Sequence, residues 1–327
     1  MIYTVTLNPV LDRTISVPEI ILNQVLRATS VRLDLGGKGL NVSRALNALG
    51  ATSVAMGFIG GATGVYLEQG LGELSIPTDF VHIQGDTRTN TVIIDKDAER
   101  HIKVNEPGPT IRPVEQAALI DKIYNKTQPD DYWAFCGSLP PSVESDYYAR
   151  LITMVQSKGA RAILDASGEA LRIGCKAAPY LVKPNAIEAE EATGISVRGE
   201  AEAYRATLVL LVQGIKLVAL SMGSEGLLLV AQECAMHVKP PRVPVKNTVG
   251  AGDATLAGLI WSLSQGLSLE TTACWGVAAG TAAAMQGGVC VGTRSEVETL
   301  FKQISTGSFP YLIDSSMDGV ESSDPNR

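Results

Sequence analysis

Six short runs of nearly unbroken apolar residues recur along the chain, at residues 3–7, 53–58, 132–136, 161–164, 180–182 and 216–221. A strand with one wetted face alternates apolar and polar residues, whereas one that is apolar throughout is buried on both faces. Residues 40–49, 114–125, 144–158, 200–213, 251–265 and 269–285 instead place apolar side chains three and four apart, the spacing of a helix face. Covered strands joined by helices predict an α/β fold: a doubly wound, largely parallel sheet with right-handed crossovers.

The chain has 327 residues, 45% of them hydrophobic, enough to bury one large core or two smaller ones. Aromatic residues are only 5% and glycine is plentiful, which suits close packing of helices on a sheet. A formal net charge of -7 argues against a nucleic-acid partner, whose phosphates are met by basic patches. The opening MIYTVTLNPV lacks a basic stretch followed by an apolar signal core, and no later run is long and uncharged enough to span a bilayer. A cytoplasmic protein without a membrane partner is expected. Cys136, Cys175, Cys234, Cys274 and Cys290 are scattered without CxxC spacing, which reads as reduced thiols, not a disulfide or zinc framework.

Two stretches break the helix–strand rhythm. Residues 14–35 and 88–104 carry polar–apolar alternation, with a turn expected at 95–98, and read as strands of a small separate sheet; ordinary edge hairpins are the alternative. The main folded body is expected to span residues 1–305. From 306 to 327 the chain is rich in Ser, Asp and Pro and reads as a flexible tail.

The sharpest chemical signal is NTVGAGD, Asn247 to Asp253, running straight into a helical pattern. Small residues at Gly250, Ala251 and Gly252 let backbone N–H groups converge on an anion at a helix N-terminus, where the helix dipole also favours negative charge. Asp253 falls in the first turn, where a carboxylate can take the proton of a hydroxyl during phosphoryl transfer. The bland alternative is a glycine-rich loop followed by an ordinary N-terminal aspartate. Two further motifs weigh against it. LGGKGLNVSRALNALG contains a second glycine turn, Gly36, Gly37 and Lys38, with Asn41 one turn on, and KPNAIEAEEATG supplies Lys183, Asn185 and Glu188 after a strand.

Taken in this order, the motifs resemble the two signature regions of the ribokinase-like sugar kinases, the phosphofructokinase B family, over residues 1–305. The resemblance implies an ATP-dependent kinase with a small β-sheet lid, Asp253 as general base and Gly250, Ala251 and Gly252 as an anion hole. No Walker A loop is present, so the nucleotide is held otherwise. The matching positions are Lys183, Asn185, Ser221, Gly223, Glu225, Gly226, Thr248 and Gly250, with Ala279, Gly280 and Ala283 as a small-residue wall beside the adenine. The resemblance further suggests that Glu188, with Asn185, orients Mg2+ through water; a solvated helix face is the alternative, since Glu190 and Glu191 adjoin it.

For the acceptor, the resemblance points to Asp12, Gly36, Gly37, Lys38 and Asn41 on sugar hydroxyls. TRTN and CGSLPPS, with Arg88, Asn90 and Ser138, mark the phosphosugar branch. Arg27 and Lys103 match basic substrate-contacting positions, and with Arg88 they form an expected phosphate clamp, although each alone reads more readily as a solvated charge. GGKGLNV resembles 1-phosphofructokinases and tagatose-6-phosphate kinases, whereas the segments at Gly60–Gly64, Asp165–Leu171 and Gly276–Ala283 resemble B-type 6-phosphofructokinases. Val25 replaces a lysine of the latter. Fructose 1-phosphate is the expected acceptor, with fructose 6-phosphate and tagatose 6-phosphate next, and a catalytically silent sugar-phosphate sensor is the reading from another class. The family lid further suggests a homodimer joined through sheet edges.

Overall fold

Strands with both faces covered alternate which core each side chain enters, and the chain does this strand after strand. The computed structural model describes residues 1–95, 100–287 and 291–308. In chain order it begins with β1 (Ile2–Thr6), β2 (Val10–Ser16), β3 (Ser30–Gly36), α1 (Lys38–Ala48), β4 (Ser53–Ile59), α2 (Gly61–Glu73) and β5 (Val81–His82). It continues with β6 (Arg88–Ile94), β7 (His101–Val104), α3 (Pro113–Lys126), β8 (Tyr132–Cys136), α4 (Tyr147–Ser157), β9 (Arg161–Asp165), α5 (Gly168–Cys175) and β10 (Leu181–Val182). The rest is α6 (Ala186–Thr193), α7 (Glu200–Val212), β11 (Leu217–Ser221), β12 (Leu227–Ala231), β13 (Ala235–Lys239), α8 (Ala251–Ser264), α9 (Leu269–Ala284), α10 (Arg294–Phe301) and β14 (Ser305–Ser308).

The main sheet has ten strands in the order β14-β13-β12-β11-β10-β9-β8-β1-β4-β5. From β11 to β5 every pairing is parallel, and β12, β13 and β14 add antiparallel strands at one edge. On β8, Ala134 and Cys136 enter a core built with α1, α8, α9 and α10, while Trp133 and Phe135 enter the opposite core built with α3, α4 and α5. This two-residue alternation explains why β8 is apolar from end to end. The chain leaves β1 toward β4 and β5, then returns to β1's other side as β8. That reversal makes the β1/β8 gap a topological switch point, where open α/β sheets leave a crevice at the carboxyl ends of their strands.

The second sheet has four strands in the order β3-β2-β6-β7 and is separate from the main one, so the edge-hairpin alternative fails. It starts at Val10, not residue 14, and residues 17–29 form a connection instead of strand. The turn expected at 95–98 falls mainly on residues outside the described ones. Pairing of Asp12 with Asp34 and Asn90, of Thr14 with Val92, and of Val92 with Lys103 puts Asp12, Asp34, Arg88, Asn90 and Lys103 on one face. The other face carries Ile15, Val31, Leu33, Ile93, Ile102 and Val104.

Three differences from the sequence reading have local causes. Helix α2 carries Gly64, Gly70 and Gly72, each costing ~1 kcal/mol of propensity relative to Ala, and it forms because Leu67 and Leu71 are buried. Helices α5, α6 and α10 are too short to declare a period. Finally, residues 306–308, expected to begin a flexible tail, pair together with Ser305 on β13 as β14, because backbone hydrogen bonds to an open sheet edge do not depend on composition. Residues 309–327 of that tail are outside the described ones.

Candidate active site

The five parallel strands β1, β8, β9, β10 and β11 end on one edge of the sheet, where Asp165 closes β9 and Lys183 and Asn185 follow β10, while the GGKG turn follows β3 of the small sheet and NTVGAGD runs into α8. Gly250 takes a left-handed conformation at φ 83° and caps α8 without a side-chain hydrogen bond. Glycine reaches that conformation without strain. A helix leaves its first N–H groups without intrahelical acceptors. Ala251 N–H is engaged by Thr248 O at 3.2 Å and Ala254 N–H by Gly250 O at 2.9 Å, which leaves Gly252 and Asp253 as the donors at this helix start. The expected three-residue anion hole is therefore narrower in its donors, since Ala251 already serves the turn.

Asp253 is buried in the first turn of α8. Its Oδ2 accepts from Asn41 Nδ2 at 2.8 Å, so the glycine turn before α1 and the one before α8 meet through these two side chains. Burial, and then the negative charge of Asp165, push the Asp253 carboxyl up to about 6, against the Asn41 hydrogen bond and the Lys38 and Lys183 ammonium groups. A carboxylate poised near neutral pH has the proton affinity that a general base needs.

Around it lies a network of charge. Asp165, at the end of β9, is fully buried; Oδ1 accepts from Lys38 Nζ at 2.8 Å, and Oδ2 is 3.2 Å from Lys183 Nζ. Lys38 Nζ is also 3.6 Å from Glu188 Oε1. Burial pushes the Asp165 carboxyl up, but Lys183 and Lys38 outweigh it and hold it below its ordinary value. Burial likewise opposes the charge on Lys38, and Asp165 with Glu188 overcomes it and raises that ammonium's pKa. Sequence reasoning assigned no role to Asp165, although it opens the Asp165–Leu171 segment that carried part of the resemblance and closes the short strand RAILD.

Glu188 is buried, not part of a solvated face, while Glu190 and Glu191 are exposed. Asn185 caps α6 in a reciprocal box: Glu188 N–H donates to Asn185 Oδ1 and Asn185 N–H to Glu188 Oε2, each at 2.9 Å. With one oxygen so engaged and the other facing Lys38, Glu188 is a poor direct metal ligand. Among the described residues no group of three or more His, Cys, Asp or Glu side chains converges as a metal site. The donors fit a hydrated Mg2+ whose inner ligands come from phosphate and water, with Glu188 and Asn185 in its outer sphere.

Of the other nucleotide-side positions, Asn185, Ser221, Gly223 and Glu225 line one cavity of about 320 Å³ together with Val197, Arg198 and neighbouring residues. Ser221 is bridged to Asn185, and its N–H donates to Pro184 O at 2.9 Å. Gly226 follows in the same turn, and Thr248 is exposed just before α8. Lys183 is buried, with Nζ 3.6 Å from where a Gly252 Cβ would stand. The expected adenine wall is placed differently. Ala279 and Ala283 are buried in the core, and Gly280 packs against α8, where a Cβ would collide with Thr255 Oγ1. Their smallness serves the contact between α8 and α9.

On the acceptor side, Asn90 Nδ2 donates to Asp12 Oδ1 at 3.0 Å, and Asn90 Oδ1 accepts from Glu106 N–H at 3.2 Å. Burial pushes the Asp12 carboxyl up, while Asn90, Lys103 and Arg88 pull it down. Gly36 lies beside Asp12, Gly37 caps α1, and Ser138 is exposed just past β8. Arg88 is not a free fork: its guanidinium donates to Glu106 O at 2.9 Å and Asn8 O at 3.1 Å, and Nε is buried without a partner. It lines a cavity of about 630 Å³ with Asp86, Glu106 and Gly108 among others. Arg27 is exposed in the 17–29 connection, outside the strands that carry Arg88 and Lys103. The three-residue clamp is thus assembled only in part: Arg88 and Lys103 share the Asp12 face of the lid, and Arg27 stands apart.

Residues 5–295 match the pfkB family of carbohydrate kinases. The chain is 34% identical over 304 residues to a 1-phosphofructokinase of Bacillus subtilis, covering 93% of this chain and 98% of that one. It is 32% identical over 302 residues to the ATP-dependent 6-phosphofructokinase isozyme 2 of Mycobacterium tuberculosis, covering 92% and 89%. Among solved structures, the tetrameric inhibited form of phosphofructokinase-2 from Escherichia coli matches with a TM-score of 0.86 at 31% identity, over 92% of this chain and 98% of that one. Among the described residues, no helix is long and apolar enough to cross a membrane.

Proposed function

The chain belongs to the pfkB family of carbohydrate kinases, and from that premise we propose that it is an ATP-dependent phosphofructokinase that converts fructose 1-phosphate to fructose 1,6-bisphosphate. The observation that carries the chemistry is the buried Asp253, held by Asn41 at the head of a helix that still has backbone donors to offer. Asp253 takes the proton of the acceptor hydroxyl as its oxygen attacks the γ-phosphorus of ATP. The Gly252 and Asp253 N–H groups and the α8 dipole stabilise the charge on the transferring phosphoryl group, a task that falls mainly to positioning and electrostatics in such transfers. Glu188 and Asn185 would orient the water shell of a Mg2+ bound with the nucleotide, which would supply charge to offset the phosphates.

Asp12 and Asn90, cross-strand neighbours joined by a hydrogen bond, hold sugar hydroxyls, with Gly36, Gly37, Lys38 and Ser138 around them. Arg88 and Lys103 on the same lid face meet the phosphate already on the sugar. The choice of fructose 1-phosphate is supported by the GGKG turn and by the 1-phosphofructokinase relative. The lid's opposite face leaves Val31, Leu33, Ile102 and Val104 exposed, which supports pairing of lids between two copies. The solved relative is a tetramer in its inhibited form, so light scattering should separate dimer from tetramer.

A coupled assay of ADP release tests the activity and the acceptor together, with fructose 1-phosphate, fructose 6-phosphate, tagatose 6-phosphate, free fructose, ribose and adenosine compared at matched concentrations. Fructose 1-phosphate should have the highest kcat/KM. Preference for a 6-phosphate keeps the kinase and corrects the sugar, preference for an unphosphorylated acceptor removes the lid's phosphate role, and binding without ADP release makes the chain a sensor.

A further inference from the structure

Asp165 is the one fully buried carboxylate of the site to which the chemistry above gives no task. Its two oxygens each meet an ammonium, Lys38 Nζ at 2.8 Å and Lys183 Nζ at 3.2 Å. Those lysines come from separate halves of the site: Lys38 opens α1 directly after Gly37, and Lys183 follows β10 and lies against Gly252. Stability alone is a poor explanation for the arrangement. Removing an ion from water costs several kcal/mol, and buried ion pairs can often be replaced by apolar residues at no loss. A lysine is also a point charge on a flexible four-carbon stem, and only a fixed partner gives it a fixed place.

We propose that Asp165 is a positioning residue for phosphoryl transfer, holding Lys38 and Lys183 as a matched pair of cations beside the first turn of α8. The proposal rests on the reading of Asp253 and the α8 turn as the reaction centre. In the transfer itself, the bond from the acceptor oxygen to phosphorus forms, the bond from phosphorus to the β,γ-bridging oxygen breaks, the acceptor proton goes to Asp253, and ADP leaves. Asp165 and the two lysines gain and lose no atom. Their contribution is geometry: two positive charges stay where negative charge migrates from acceptor to leaving group, and neither collapses onto Asp253. With Asp165 lying between the two ammonium groups, Asp253 stays paired with Asn41 and remains available to the hydroxyl.

The test is Asp165→Asn, which keeps the size of the side chain and removes its charge. Loss of alignment should lower kcat by about 10²-fold, with KM for ATP and sugar phosphate changing much less. The acid limb of kcat should move to lower pH, because the negative charge of Asp165 is one of the influences that raise Asp253. A purely structural residue would lower the melting temperature and move the acid limb through its charge alone, leaving the plateau kcat unmoved at a permissive temperature; that outcome overturns the proposal. If the single variant does not fold, Asp165→Asn with Lys183→Met removes the stranded cation as well. This double variant should recover the fold but not the turnover, and kcat within about threefold of the parent overturns the positioning role. Asp253→Asn, assayed in parallel, separates the two claims: full turnover there defeats the reaction centre and the proposal with it, whereas loss there with normal turnover in Asp165→Asn defeats the positioning role alone.

Discussion

Asn41 Nδ2 donates to Asp253 Oδ2 at 2.8 Å across 212 residues of chain. The bond joins α1, which follows the small sheet, to the first turn of α8, so the two halves of the proposed active site share one fixed point. It also leaves Asp253 Oδ1 without competition from Asn41, the geometry a proton acceptor needs.

Asp253→Asn should bind ATP and sugar phosphate nearly as the parent does and lose turnover by about 10²- to 10⁴-fold, the usual contribution of a general base. Initial rates at saturating substrates, with KM values for both, decide this. Turnover within about threefold of the parent removes Asp253 from that role.

The pH profile follows from the same residue. A base works only when ionised, and Asp253 is raised to about 6, so kcat should level off above that pH and fall about tenfold per unit below it. Asn41→Ala removes the hydrogen bond that opposes the rise, and the acid limb should then move to higher pH. A limb in the ordinary carboxylate range in both proteins would contradict the assignment.

Glu188 has two separable tasks. Glu188→Gln keeps a side chain able to close the capping box, so its melting temperature should stay close to the parent's, while the magnesium needed for half-maximal rate should rise. Glu188→Ala loses the box as well and should be less stable by ~1 kcal/mol. An unchanged magnesium titration in the Gln variant would confine Glu188 to the cap.

Arg88 ties Glu106 O and Asn8 O to the lid, on the sheet face that also carries Asp12. Arg88→Ala should raise KM for fructose 1-phosphate by ~10-fold or more and leave KM for ATP nearly unchanged, since charge-assisted contacts to phosphate are stronger than neutral ones. Arg88→Lys should behave much like Ala, because a single ammonium cannot reproduce the planar fork. Equal effects on both KM values would indicate a general loss of lid structure.

Gly280 allows α9 to approach α8. A Cβ there would collide with Thr255 Oγ1 and stand 3.1 Å from Ala251 O, and Thr255 is itself held by its hydrogen bond to Ala251 O at 2.9 Å. Gly280→Ala should therefore destabilise the protein by ~1–3 kcal/mol, read by thermal melting, and Thr255→Ala in the same background should restore part of the loss.

The sequence by itself determined the architecture and most of the chemistry. Apolar runs such as 132–136 declare strands covered on both faces, because Trp133 and Phe135 face one core while Ala134 and Cys136 face the other. The NTVGAGD and GGKG turns announce helix starts through local physics, since glycine conformation and helix ends act within a few residues, whereas the roles of their side chains came from the resemblance. Tertiary structure alone decided what depends on neighbours distant in the chain. Asp165 became the partner of Lys38 and Lys183 only when β9 was laid between β8 and β10, and Glu188 became a buried cap only when α6 packed against the sheet end. Gly280 was likewise turned from a lining residue into a packing one by the approach of α8, and Arg27 was left outside the lid face that Arg88 and Lys103 share. Sequence spacing fixes which way a side chain points along its own element; which charge or surface it meets depends on the long-range fold.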